Sequence, residues 1–231
     1  MNKNDAAYKK FMAFLDSNST RYPEDVLRYM KLHGLPLINR SDKIIPLIAL
    51  QAFSELGINE DATQIYRDHI DMIRNHFSLD RNICDIGGGY LPAFANLVAE
   101  EQLKIGKGTI TIYDPRLVFN DPKYINMTLH KEYFTTNTDV SNYDLLVGIY
   151  PCEATEAIIE SAIKNDKDFY VAMCGDAHSS DGSRITKVAY REKVIDTANN
   201  LALANGNYEM EVTKFDDPIY SYPIVIGKRT K

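Results

Sequence analysis

Two hydrophobic periods divide this chain near residue 80. Before it, apolar residues return every three or four positions, the spacing of a helix with one buried face. Ala6, Phe11, Phe14 and Leu15 share such a face in the first segment, which ends at Asn18-Ser19-Thr20. Tyr22-Pro23-Glu24-Asp25 supplies the proline and acids that open a second helix, continued by Leu27, Met30 and Leu32 and stopped at Gly34. A third helix is predicted from Ser41 or Pro46 to Leu56, with Gly57 as its stop. A fourth begins near Asn59 and carries Ile65, Ile70, Met72, Ile73 and Phe77.

After residue 80, short apolar and β-branched runs alternate with helical stretches. Strands are predicted at 82–86, 109–113, 124–129, 144–149, 168–173, 208–215 and 219–226. Helices are predicted at 92–102, with Phe94, Leu97 and Val98 on one face, and at 154–164. A long helix over 185–204 places Val188, Ile195, Ala198, Leu201 and Ala202 on its apolar side and closes at Gly206. The run 144–149 is apolar throughout, as a strand covered on both faces must be. Alternation of this kind implies an α/β fold with a parallel sheet and helices on both faces. The last two strands are joined through Asp216-Asp217-Pro218, too short for a helical crossover, so they pair antiparallel. The expected organisation is a helical N-terminal region over 1–80, acting as a lid and substrate-binding part, followed by a sheet domain over 81–231.

Composition narrows the function classes. The chain has 231 residues and a net charge of -6, which speaks against broad nucleic-acid binding by a basic surface. Its three cysteines, Cys84, Cys152 and Cys174, are odd in number and far apart, the usage of a reducing compartment. The N-terminus MNKNDAAYKK has no apolar signal-peptide core, and no run approaches the roughly 18 apolar residues of a membrane span. A cytoplasmic protein without membrane contact is the expectation.

The chemistry concentrates at Ile83-Cys84-Asp85-Ile86-Gly87-Gly88-Gly89-Tyr90-Leu91-Pro92. An apolar run ends in an acid, three glycines follow, and a proline opens a helix. Glycine has no Cβ to hold a ligand off the backbone. The helix behind it turns free N–H groups and a positive dipole end toward the same spot. Asp114 closes the second strand, where an acid can accept both hydroxyls of a ribose. A dinucleotide fingerprint would place a glycine where Pro92 stands, so that pattern fails. The P-loop and the G-x-S-x-G nucleophile turn are both absent.

Together the acid-led glycine turn, the acid after the second strand, the β/α alternation and the closing hairpin resemble the class I S-adenosylmethionine (SAM) dependent methyltransferases. The resemblance covers about residues 80–231. It implies a Rossmann-like doubly wound sheet of seven strands, mostly parallel, with a C-terminal antiparallel hairpin. It further implies SAM as cofactor, held by Asp85, Gly87, Gly88, Gly89, Tyr90, Asp114 and Tyr150. Asp85, Gly87 and Gly89 match the family's acid-x-Gly-x-Gly-x-Gly motif, and Leu91 stands at its third glycine. Residues Glu132 to Asp139 are candidates to lie beside the adenine. The corner Gly148-Ile149-Tyr150-Pro151-Cys152-Glu153 corresponds to the place of the transferred methyl group. Tyr150 and Glu153 are candidates there for positioning the acceptor or removing its proton.

His178, after the fifth strand, is a third candidate base because its intrinsic pKa lies near neutrality. Cys152, Cys174 and His178 could meet at one edge of the sheet, but without a CxxC or HxxxH pair no metal site is expected. A satisfied or solvated state is the default for His69 and His76, seven residues apart on one helix. Tyr8, Tyr22, Tyr29 and His33 are candidates to line the lid. The acceptor is expected to be a small molecule. Gly89-Tyr90-Leu91-Pro92 also resembles the turn of nicotianamine-synthase-like enzymes, which implies transfer of the aminocarboxypropyl group of SAM. A SAM-binding module without catalysis is the third reading.

Overall fold

The computed structural model describes residues 61–89, 92–117, 121–173, 186–216 and 222–230. The first three predicted helices, and with them Tyr8, Tyr22, Tyr29 and His33, lie outside the described residues. Helix α1 (Asp61–His76) is the fourth predicted helix. It is followed by β1 (Asn82–Ile86), α2 (Ala93–Ile105), β2 (Thr109–Tyr113), β3 (Met127–His130) and β4 (Leu145–Ile149). Next come α3 (Thr155–Lys164), β5 (Asp168–Ala172), α4 (Lys187–Asn205), β6 (Tyr208–Thr213) and β7 (Ile224–Arg229).

The strands form one sheet in the order β3-β2-β1-β4-β5-β7-β6. β1 to β5 are parallel, while β7 runs antiparallel between β5 and β6. The alternation predicts the parallel sheet, the short link predicts the terminal hairpin, and the whole is the Rossmann-like doubly wound sheet that the family resemblance implies. Parallel pairing needs helical crossovers, and the helices cover both faces. Alternate residues of each strand serve opposite layers. Ile83, Ile110, Ile112, Leu145, Val147 and Tyr170 pack on the side of α1 and α2. Cys84, Ile86, Leu146, Phe169 and Val171 pack on the side of α3 and α4.

Local chemistry fixes the helix ends. Pro92 stands at the N-cap of α2, and Gly106 closes it in the left-handed conformation, its N–H donating to Gln102 O. The Thr186 side chain caps α4 by accepting from Ala189 N at 3.2 Å. Gln102 is buried and its amide donates to the carbonyls of Leu79 and Arg81, both at 2.9 Å, tying α2 to the entry of β1. At that same amino edge, Asp168 accepts from Arg81 Nη1 and from Arg229 N, each at 2.7 Å. The opposite, carboxyl edge of the strands carries the glycine turn.

The structure departs from the sequence pattern at several element ends and on one helix face. The third strand begins at Met127, because Met127 N donates back to Tyr124 O at 3.1 Å and makes 124–126 a turn. Ile125 projects into solvent there at 94% exposure, so its apolar character gave a false strand start. On α4, Val188 is exposed, and the buried stripe is Tyr190, Val194, Ala198 and Ala202. The last strand runs on to Arg229, whose amide is drawn in by Asp168. The antiparallel hairpin itself is as expected.

Gly227 on β7 faces Phe169 on β5 so closely that a Cβ would enter the aromatic ring. Gly227→Ala therefore overpacks the core and is expected to destabilise the fold by about 1–3 kcal/mol in urea titrations. Phe169→Leu in the same chain should recover part of that loss.

Candidate functional site

Parallel pairing of β1 with β2 and β4 brings three strand ends to one edge. The β1 end is the glycine turn, and its glycines serve different purposes. Gly87 has φ +79, and a Cβ there would stand 2.9 Å from Pro151 Cα, so the corner after β4 rests directly on the turn. Gly88 has no side chain because the Asp85 carboxyl occupies that space, with Oδ2 2.9 Å from where a Cβ would be. Gly89 has φ +79 and open space beside it. A ligand can therefore reach the backbone at Gly89. Tyr90 and Leu91 lie outside the described residues.

Two carboxylates stand under this turn in opposite states. Asp114 is 1% exposed, yet both its oxygens are filled. Oδ2 accepts from Gly89 N at 2.8 Å and Arg116 Nη2 at 2.7 Å. Oδ1 accepts from Arg116 N at 2.8 Å and Arg116 Nε at 3.0 Å. Burial works to raise its pKa, but Arg116 and the Gly89 amide outweigh burial and hold the carboxyl below its ordinary range. Asp85 is also 1% exposed, and its Oδ2 has no hydrogen-bond partner among the described residues. Burial first, and the neighbouring Asp114 charge second, push its pKa from 3.8 up to about 8. At neutral pH Asp85 is a mostly neutral acid that a nearby cation would ionise.

The β4 corner adds a third group. Tyr150 has φ 56, a strained conformation for a residue with a side chain, and its amide donates to Ala172 O at 2.9 Å. Its hydroxyl lies 3.1 Å from His69 Nε2, and His69 Nδ1 lies 2.7 Å from Tyr170 OH. His69 is fully buried, and desolvation pushes its pKa from 6.5 down to about 3, so it is neutral and its two nitrogens have opposite hydrogen-bonding roles. The Tyr170 hydroxyl also reaches Met72 Sδ at 3.5 Å. Edge-on contact with Phe215 completes the enclosure of the imidazole.

The turn, both acids and Tyr150, all named from the sequence, lie at one edge of the sheet. Glu153 is exposed in a single 3-10 turn, Cys152–Ala154. His178 and Cys174 lie outside the described residues. Cys152 is half-buried, with its thiol 3.5 Å from Tyr150 O. Among the described residues, no group of three or more His, Cys, Asp or Glu could hold a metal ion. In the Glu132 to Asp139 stretch, Phe134 is the buried aromatic, edge-on to Tyr113. Arg116 and Tyr170 were missed. Only the position of Arg116, two residues beyond Asp114, could have marked it, since a short acid-to-base spacing favours a local ion pair.

Neither a family model nor a curated protein matches the sequence. Solved structures that resemble it include SAM-dependent methyltransferases of varied acceptors. A methyltransferase from Pyrococcus furiosus has a TM-score of 0.47 and 11% identity, over 71% of this chain and 83% of that one. The SAM-dependent methyltransferase SibL gives 0.45 and 12%, over 97% and 74%. Human N-acetylserotonin methyltransferase, solved with SAM, gives 0.41 and 12%, over 99% and 69%. Such distant likeness does not bear on which reaction this chain performs.

The two buried groups impose opposite pH dependences on stability. Asp85 holds its proton more tightly when folded, so its contribution is present below about pH 4 and lost as pH rises through about 8. His69 resists protonation when folded, so its contribution is present above about pH 6.5 and lost as pH falls toward 3. Each slope is at most about 1.4 kcal/mol per pH unit, and the two oppose each other between pH 4 and 6.5. Urea titrations of Asp85→Asn should lose the decline between pH 6.5 and 8. Those of His69→Asn should lose the opposing slope below 6.5. An Asp85→Asn profile that still declines above pH 6.5 would contradict the assignment.

Proposed function

We propose that this chain is a SAM-dependent methyltransferase acting on a small-molecule acceptor. The observation that carries the reading is the buried Asp85 carboxyl, whose Oδ2 has no hydrogen-bond partner among the described residues, beneath a glycine turn open at Gly89. A buried carboxyl without a partner is costly unless a cation arrives to match it. The methionine part of SAM presents an ammonium, and the bare backbone at Gly89 allows close approach. Asp114, at the neighbouring strand end, is placed to take the ribose hydroxyls. The acceptors of this edge thus fit the cofactor: one acid for the ammonium, one for the diol, and a turn without side chains between them.

When bound, SAM would supply a methyl group already attached to a good leaving group. The residues then have to orient the acceptor and exclude water. Tyr150 is the group best placed for this. The Pro151–Gly87 contact fixes its backbone beside the turn, and His69 anchors its hydroxyl. The net charge of -6 favours a small acceptor over a nucleic acid. Among the described residues no helix is long and apolar enough to cross a membrane.

Calorimetry with SAM tests the cofactor reading. Binding should release a proton near pH 7, because the arriving ammonium ionises Asp85. The heat should therefore vary with the ionisation enthalpy of the buffer, and affinity should rise as pH approaches 8. Asp85→Asn should lose both effects, and Asp114→Ala should weaken binding by about tenfold or more. No measurable affinity for SAM would overturn the proposal. Product analysis separates the chemistries: S-adenosylhomocysteine marks methyl transfer, and methylthioadenosine marks aminocarboxypropyl transfer.

A further inference from the structure

We infer that Arg116 occupies the ribose subsite and sets the affinity for the nucleoside by competing for Asp114, an inference that rests on the cofactor reading above. A carboxylate offers about four acceptor positions, and those of Asp114 are taken by Gly89 N, Arg116 N, Arg116 Nε and Arg116 Nη2. A ribose diol needs two of them. The two amide donors belong to the backbone turn and stay. The two guanidinium donors belong to a side chain 48% exposed, which can leave.

The fork of Arg116 is a close chemical match for the group it excludes. Nε and Nη2 point two parallel N–H donors at the two oxygens of one carboxylate, at 3.0 and 2.7 Å. The cis-diol of a ribose presents two O–H donors to the same oxygens. The side chain therefore keeps a buried carboxylate satisfied before the ligand arrives, and ligand entry exchanges one bidentate donor for another. The apparent affinity is lowered by the fraction of chains in which the fork is closed.

Removing the fork leaves both backbone donors to Asp114 in place. The Arg116 amide still donates to Asp114 Oδ1 in Arg116→Ala, and so does Gly89 N to Oδ2. Calorimetry on the full chain with S-adenosylhomocysteine should show Arg116→Ala binding roughly threefold to fivefold tighter than the natural chain, the gain from no longer displacing a half-exposed guanidinium. Arg116→Lys, which cannot form the fork, should fall between them. The gain should vanish for the 2′,3′-dideoxy analogue, which has no diol to take the vacated positions. Equal or weaker binding by Arg116→Ala, with its thermal midpoint unchanged, overturns the inference while leaving the cofactor reading in place. Absence of binding by both chains overturns both.

Discussion

The carboxyl edge of this protein depends on one placement: β1 sits between β2 and β4 in a parallel sheet. Parallel strands all finish at the same edge, so the acid next to last in β1, the acid after β2 and the tyrosine after β4 converge there. The contact between Gly87 and Pro151 makes the convergence tight. A Cβ at Gly87 would push the β4 corner away, and Tyr150 with it. The same corner requires Gly148, where a Cβ would strike Ile158 Cδ1 at 2.6 Å and Pro151 Cγ at 2.8 Å. Two glycines, one in the turn after β1 and one on β4, thus hold one proline, and that proline sets the distance between the turn and the strained Tyr150.

Burial gives the edge its electrostatic character. Asp85 and Asp114 both have almost no solvent-exposed surface, but one is largely neutral and the other ionised. Asp85 lies deeper, and the donors differ. Asp114 has four hydrogen bonds, three of them from Arg116, and Asp85 has none to its Oδ2. The ionised acid in turn raises the pKa of its neighbour. The cation that would suit Asp85 is missing among its described neighbours, whereas Asp114 is already matched by the Arg116 guanidinium. His69 contributes in the opposite sense. Desolvation strips it of charge, so it serves as a fixed neutral anchor between two tyrosine hydroxyls.

The order of elements was legible because each leaves a local signature. β1 and β2 match the predicted spans, since both are short β-branched or apolar runs bounded by polar residues. β3 slipped because Ile125 is apolar but exposed, and a turn stabilised by Asn126, whose amide reaches Ala99 O at 3.1 Å, overrides the strand pattern. On α4 the expected apolar side holds at Ile195, Ala198, Leu201 and Ala202 and fails only at its first turn. Tyr190 is buried against the sheet, while Val188 two positions earlier faces water. Composition cannot tell which way a helix is turned once both faces carry apolar residues.

By itself, the sequence determined the alternation of strands and helices, the glycine turn, the two acids and the tyrosine corner. Each depends on residues adjacent in the chain, where backbone propensity and spacing decide the outcome. The tertiary structure alone decided which acid would be ionised, that Arg116 would fill the Asp114 oxygens, and that His69 would reach across 81 residues to Tyr150 and 101 to Tyr170. Those outcomes depend on burial and on donors supplied by other strands and helices. Charge state and hydrogen-bond capacity are properties of the surroundings of a group, and the surroundings exist only once the sheet is assembled.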